Sequence, residues 1–139
     1  MHHYPWTAYR YAKGNRSDKR RGECPFCSEK QLDLAIETTE TMYVIPNRTK
    51  YDLFEGLPVE RHLLVIPKQH HSSLAEFAEA EQRELLAIVA RYEAEGYHFF
   101  GHGVGAITRS VEHQHTHLIM PANNSLRTRT LRRIKQLLF

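Results

Sequence analysis

Three histidines alternate in Ser110-Val111-Glu112-His113-Gln114-His115-Thr116-His117-Leu118-Ile119. On a β-strand alternate side chains share a face, so His113, His115 and His117 would line one side at intervals of roughly 6–7 Å. Such a row suits a plain core poorly, because each buried imidazole needs a partner for its polar nitrogens. Three kinds of chemistry use it. A His-X-His pair can grip a metal ion, a row of imidazoles can relay protons near neutral pH, or one ring can be a nucleophile held in the right tautomer by its neighbours. A surface cluster without a role is the fourth reading, and the bunching of histidines between 62 and 117 weighs against it.

The only two cysteines form Cys24-Pro25-Phe26-Cys27. This spacing serves a dithiol redox pair or half of a zinc site. A redox motif of this spelling normally follows a buried apolar strand, whereas Lys19-Arg20-Arg21-Gly22-Glu23 precedes this one. Structural zinc wants four ligands in a tetrahedron, so two histidines would have to join the pair.

The elements that must position these groups follow from periodicity. Residues 32–37 alternate (Leu32, Leu34, Ile36 against Asp33, Ala35, Glu37), as in a half-buried strand. Met42-Tyr43-Val44-Ile45 and His62-Leu63-Leu64-Val65-Ile66 are β-rich runs stopped by Pro46 and Pro67. Residues 47–61, with Gly56 and Pro58, read as a long loop. Ser73 with Glu76 is a capping-box pattern. Leu74, Phe77, Leu85, Ile88, Val89 and Tyr92 then recur at helical spacing until Gly96. Residues 97–100 and 118–120 suggest further strands, and Leu126, Leu131, Ile134 and Leu138 a short basic amphipathic helix. The sum is an α+β domain: an antiparallel sheet of about five strands, one principal helix and a short C-terminal helix.

The formal net charge of +3 hides an asymmetry. Basic stretches at 1–22 and 123–139 flank an acidic middle, giving a basic arm, a domain at 23–122 and a basic extension. Such ends can steer a protein toward phosphates, so nucleic acid is a conceivable partner; solvated extensions are the plainer reading. No apolar run approaches the ~20 residues of a membrane helix, and the start lacks the pattern of a secretory signal. A cytoplasmic protein without a membrane partner is the expectation.

Taken together, the triad, Ser110 before it, and Arg61-His62-Leu63-Leu64-Val65-Ile66-Pro67-Lys68-Gln69-His70 resemble the histidine-triad (HIT) family over roughly residues 24–121. The resemblance implies the HIT-like fold and a hydrolase or transferase acting at the α-phosphate of a nucleotide, such as a phosphoramidate or dinucleoside polyphosphate. It implies that His115 is the nucleophile, that His117 and Ser110 contact the phosphate or leaving group, and that His62 lies beneath the triad and orients His115. Asn47 would match a ribose-contacting position. His117 favours the hydrolase branches, since transferases of the wider superfamily commonly carry Gln there. Some members and the related nucleotidylyltransferases bind zinc, which here points to Cys24, Cys27, His70 and His113, with His71 as the nearest competitor to His70. The family also implies a homodimer with a continuous sheet.

The chain departs from the family pattern at several positions. Gln114 and Thr116 replace apolar residues, so that face of the strand is expected to be less buried. Arg109 stands where many relatives have Gln. Eleven residues before His113, where relatives place a phosphate-binding Asn, stands His102, which becomes the candidate for that contact. A nucleotide-binding module with little turnover, a zinc-stabilised nucleic-acid-binding protein and a dithiol oxidoreductase are the competing functions.

Overall fold

The two proline-stopped apolar runs become neighbouring strands, and the rest of the sheet is built around them. The structure is a computed structural model describing residues 3–6, 9, 22 and 24–122. In chain order it contains α1 (Glu29–Leu32), β1 (Glu37–Thr38), β2 (Met42–Pro46), β3 (Leu53–Phe54), β4 (Leu57–Pro67), a 3-10 turn (Leu74–Glu76), α2 (Glu79–Ala94), β5 (His98–Phe100) and β6 (Thr116–Pro121). The sheet order is β1-β2-β4-β6-β5, every pairing is antiparallel, and β3 folds back on the start of β4. An α+β fold with one main helix is what the sequence implied.

Alternation along the central strands sorts the side chains onto two faces. One face, Met42, Val44, Leu63, Val65 and Leu118, packs against Phe77, Ile88, Val89, Tyr92 and Tyr97. Each such buried aliphatic side chain contributes about 1.5–3 kcal/mol relative to exposure. On the other face Ile45, Leu64 and Ile66 pack with Phe26, while Val59 and Ile119 pack with Tyr51. The register Leu64↔His117 and His62↔Ile119 puts His62 and His117 on this second face, away from α2. Glu84 ties α2 to the sheet by accepting from the Thr41 amide at 2.9 Å and the Thr41 hydroxyl at 2.7 Å.

Four boundaries differ from the sequence reading, each for a local reason. Residues 32–37 are not a half-buried strand. Leu32 ends α1, the chain turns, and Leu34 and Ile36 are exposed; only the end of the stretch joins β1. The long loop at 47–61 is shorter than expected because Glu55 (φ 51°) and Gly56 (φ 78°) make a tight hairpin into Leu57. Two successive positive φ values define the turn whose twist suits a hairpin, and glycine adopts the second at no steric cost. Ser73 caps the 3-10 turn, its Oγ accepting from Ala75 N at 3.1 Å, and α2 begins only at Glu79. There Glu81 accepts from the Ala78 amide at 2.8 Å, the part of a capping box that the Ser73/Glu76 pattern had suggested earlier in the chain. Lastly, β6 starts at Thr116, so only His117 of the triad lies in a strand.

The C-terminal amphipathic helix and the extension at 123–139 lie outside the described residues, as does most of the basic arm. Among the described residues no helix is long and apolar enough to cross a membrane.

Candidate active site and metal centre

The second face of the sheet gathers the chemistry-bearing side chains. His113, His115 and His117 are 1%, 6% and 5% exposed, and the rings of His115 and His117 lie 5.0 Å apart. Hydrogen-bond partners decide where the protons sit. The Tyr51 amide can only donate, so His62 Nδ1, 3.1 Å away, carries a lone pair. His62 is therefore protonated on Nε2, which donates to His117 Nδ1 at 2.8 Å. That leaves the His117 proton on Nε2. The sequence implied that His62 lies beneath the triad and orients His115; the triad ring it hydrogen-bonds is His117. Thr49 N donates to Asn47 Oδ1 at 2.9 Å, and the Asn47 amide nitrogen lies 3.2 Å from His62 Nε2.

His115 has the complementary arrangement. Its Nδ1–H donates to the His113 carbonyl at 2.8 Å, so the lone pair belongs to Nε2. Burial holds its pKa below the ordinary imidazole value, a pull that the bond to the His113 carbonyl opposes and the nearby Arg109 and His102 side chains reinforce. A neutral ring with a defined lone pair is what nucleophilic attack requires.

Around His117 the rings are packed closely. Phe100 stacks on it at 4.6 Å and 3°, Tyr51 lies at 5.6 Å and 28°, and His102 meets it edge-on at 5.2 Å. The Tyr51 hydroxyl lies 3.4 Å from His102 Nε2, and Thr108 Oγ1 lies 3.2 Å from His102 Nδ1. On the other side Phe26 approaches His115 at 5.1 Å and His113 at 6.0 Å. Ser110 sits half-buried in the loop before the triad. Arg109 shapes that loop. Its guanidinium donates to the carbonyls of Val111 at 3.2 Å, Ser72 at 2.7 Å and Glu112, and to Gln114 Oε1 at 3.4 Å.

Gln114 and Thr116 were expected to be less buried, yet they are 5% and 8% exposed. Polar partners explain Gln114: its amide donates to the His71 carbonyl at 2.7 Å, and its side chain meets Arg109.

The thiols converge on the first triad histidine. Both Cys24 Sγ and Cys27 Sγ lie 3.5 Å from His113 Nδ1, and Cys27 Sγ lies 3.3 Å from His70 Nδ1. All four donor atoms lie within 4.8 Å of one another. A tetrahedron with zinc bonds near 2.0–2.3 Å has edges of about 3.5 Å, so the set fits that metal. His113 Nε2–H donates to the Pro67 carbonyl at 3.0 Å, which leaves the Nδ1 lone pair facing the thiols. Desolvation, with the neighbouring Cys24 thiol, raises Cys27 to about 11, and burial lowers His113 to about 4. His71, the competitor to His70, turns away and donates from Nε2 to the Glu81 carboxylate at 3.0 Å.

No family model matches this sequence, and no curated protein matches it. Solved structures do. A HIT family hydrolase from Legionella pneumophila aligns 75% of this chain with 97% of its own at 20% identity and a TM-score of 0.53. A HIT family hydrolase from Clostridium thermocellum aligns 74% with 94% at 21% identity and a TM-score of 0.54. A histidine triad nucleotide-binding protein from Candida albicans aligns 84% with 95% at 18% identity and a TM-score of 0.52. The chain has the HIT fold. At this identity the likeness fixes the backbone, and the chemistry has to be argued from the side chains.

Every candidate site residue named from the sequence lies among the described residues. His62, His102, His115, His117 and Asn47 cluster about the triad, and Cys24, Cys27, His70 and His113 form the adjoining group. Sequence reasoning missed Tyr51 and Phe100. Tyr51 was hidden in what read as a loop; the one signal was an aromatic within the polar run of residues 47–52. Phe100 ends a three-residue strand too short to show alternation.

Proposed function

We propose that this protein is a nucleotide hydrolase or transferase that acts at an α-phosphate through a covalent nucleotidyl-histidine. The observation that carries the reading is the tautomer of His115, whose Nδ1–H is fixed on the His113 carbonyl while Nε2 holds the lone pair beside a His117 donor. In the first step His115 Nε2 forms a bond to phosphorus. The bond from phosphorus to the leaving group breaks, and the leaving group takes the electron pair and a proton. His117 Nε2–H donates to a phosphate oxygen, and Ser110 donates to the phosphate or the departing group. In the second step water attacks phosphorus, the N–P bond breaks, its electron pair returns to His115, and the proton water gives up restores the one taken by the leaving group. An acceptor other than water makes the same route a transferase. Asn47, at the end of β2 beside His62, takes the ribose. Incubation with adenosine 5′-phosphoramidate followed by acid-free mass mapping is expected to find one adenylyl group on His115; an adduct on any other residue contradicts the assignment.

Cys24, Cys27, His70 and His113 fit a structural zinc ion. A bound zinc supplies a cross-link there, pinning the CxxC turn and the loop after β4 to the residue two places before His115. The convergence of four donors also favours zinc over dithiol redox chemistry.

A second copy of the chain is the proposed partner. The outer edge of β5 has no neighbouring strand among the described residues. Beside it Leu74, Leu86 and Phe99, all more than half exposed, join Leu85, Val89 and Phe100 in an apolar groove between α2 and β5. Pairing of two β5 edges would satisfy the edge and cover the groove. Sedimentation is expected to give a dimer for the wild type and a monomer for Leu86→Glu combined with Phe99→Glu. A wild-type monomer at micromolar concentration removes this part of the proposal.

A further inference from the structure

The stretch that carries His113 and His115 lies outside the sheet, since β6 begins only at Thr116. Its backbone therefore lacks ladder partners, and its polar groups must be satisfied in another way. Arg109 supplies much of this. Its backbone amide donates to the Ala106 carbonyl at 2.9 Å, which fixes the base of the side chain in a turn. The Nε–H donates to the Val111 carbonyl. One terminal nitrogen is shared among the Ser72 carbonyl, the Glu112 carbonyl and Gln114 Oε1. Ser72 follows His71, and the His71 carbonyl accepts from the Gln114 amide at 2.7 Å. One guanidinium thus ties together the two segments that this backbone bond joins.

We propose that Arg109 is a positioning residue for the nucleophile, acting through the His113–Gln114 peptide plane. The inference rests on the reading of His115 as nucleophile. A trans peptide is planar, with its N–H and C=O pointing in opposite directions, and this bond is trans. The Gln114 N–H is anchored on the His71 carbonyl, so the His113 C=O of the same plane is aimed the other way. There it accepts from His115 Nδ1–H at 2.8 Å, the bond that leaves the lone pair on Nε2. Without the guanidinium, this plane would keep one backbone bond and lose the ties from Ser72 to Glu112 and to the Gln114 side chain. Its carbonyl could then turn, and the His115 ring would exchange between tautomers. The clamp also accounts for a polar residue at 114, because an apolar side chain there would give the guanidinium no acceptor. Hydrogen bonds from an ionised donor are stronger than neutral ones, which suits a brace made by one side chain.

The test sets Arg109→Ala beside wild type in nitrogen NMR of the histidine rings, steady-state kinetics and equilibrium binding of adenosine monophosphate. Wild-type His115 should show a protonated Nδ1 and an unprotonated Nε2. In the variant the two signals are expected to move toward each other, as in a ring averaging its tautomers. Turnover of adenosine 5′-phosphoramidate should fall roughly 10- to 100-fold in kcat, the scale of a misplaced reacting group. Affinity for the monophosphate should change little, because the guanidinium acts on the loop and not on the nucleotide. Free guanidinium ion at a non-denaturing concentration should restore part of kcat, and Arg109→Lys should lie between alanine and wild type. A loss carried by affinity with kcat intact would make Arg109 a phosphate contact and overturn the proposal. Unchanged His115 signals in the variant overturn it as well. If the alanine variant does not fold, Arg109→Lys carries the same readouts, and wild-type kcat with wild-type signals then overturns the proposal. A wild type without turnover overturns the His115 reading instead, while the ring signals still decide the clamp.

Discussion

Replacing His115 by alanine is expected to reduce turnover of adenosine 5′-phosphoramidate by about 10³-fold or more, the scale seen when a nucleophile is removed. Nucleotide affinity should change little, because the donors proposed for the phosphate, His117 and Ser110, stay in place. The fold should survive as well. Among the described residues the one hydrogen bond His115 makes through its side chain goes to a carbonyl two residues away, so no distant described element loses an anchor. Single-turnover assays beside equilibrium binding separate the outcomes. Retained binding with lost turnover supports the covalent route. Turnover that persists at wild-type rates would place the nucleophile elsewhere, and loss of binding with unfolding would show that the ring is chiefly a packing element.

The site was partly legible because its chemistry rests on residue types with fixed geometric demands. The apolar run stopped by Pro67 and the run from His117 to Pro121 specify two antiparallel strands, and their alternation puts Leu64 and His117 on one face. The family resemblance pointed to Cys24, Cys27, His70 and His113, and the donor atoms of those four side chains converge. Tertiary context supplied the rest. That His62 bonds His117 rather than His115 depends on how far this segment is shifted along β4, a two-residue matter that sequence spacing does not resolve. The burial of Gln114 depends on Arg109 and the His71 carbonyl, which come from other loops. Tyr51 reaches the triad because a hairpin at Glu55 and Gly56 folds residues 47–54 back over the sheet. Ser73 with Glu76 fitted a helix start and instead made a single 3-10 turn, since local hydrogen-bonding patterns serve both structures.

The largest stability effect should come from the four-donor group. Purified protein is expected to carry one zinc per chain by elemental analysis, and Cys24→Ser combined with Cys27→Ser should abolish it. A ligand held at 1,000 times its Kd contributes about 4 kcal/mol, which for a domain near 100 residues corresponds to a Tm loss of roughly 15 °C or more. The pH dependence gives a second signature. In chelator-treated protein His113 has a folded pKa of about 4, below the ordinary 6.5, so between those values the unfolded chain binds the extra proton. Its contribution is therefore complete above about pH 6.5 and is lost as pH falls toward 4. Cys27 works in the opposite sense: raised from 9.0 to about 11, its contribution is complete below pH 9 and is lost as pH rises through 11. Without metal, Tm should pass through a plateau between these limits. With metal bound, protons compete with zinc for both thiols and both imidazoles, so the zinc-dependent increment should grow steadily from acid toward neutral pH. A metal-free protein whose Tm is unchanged by the double serine substitution would leave these four side chains as a packed cluster. The strand entrance before His115 would then be held by the Pro67 and His71 carbonyls together with Arg109.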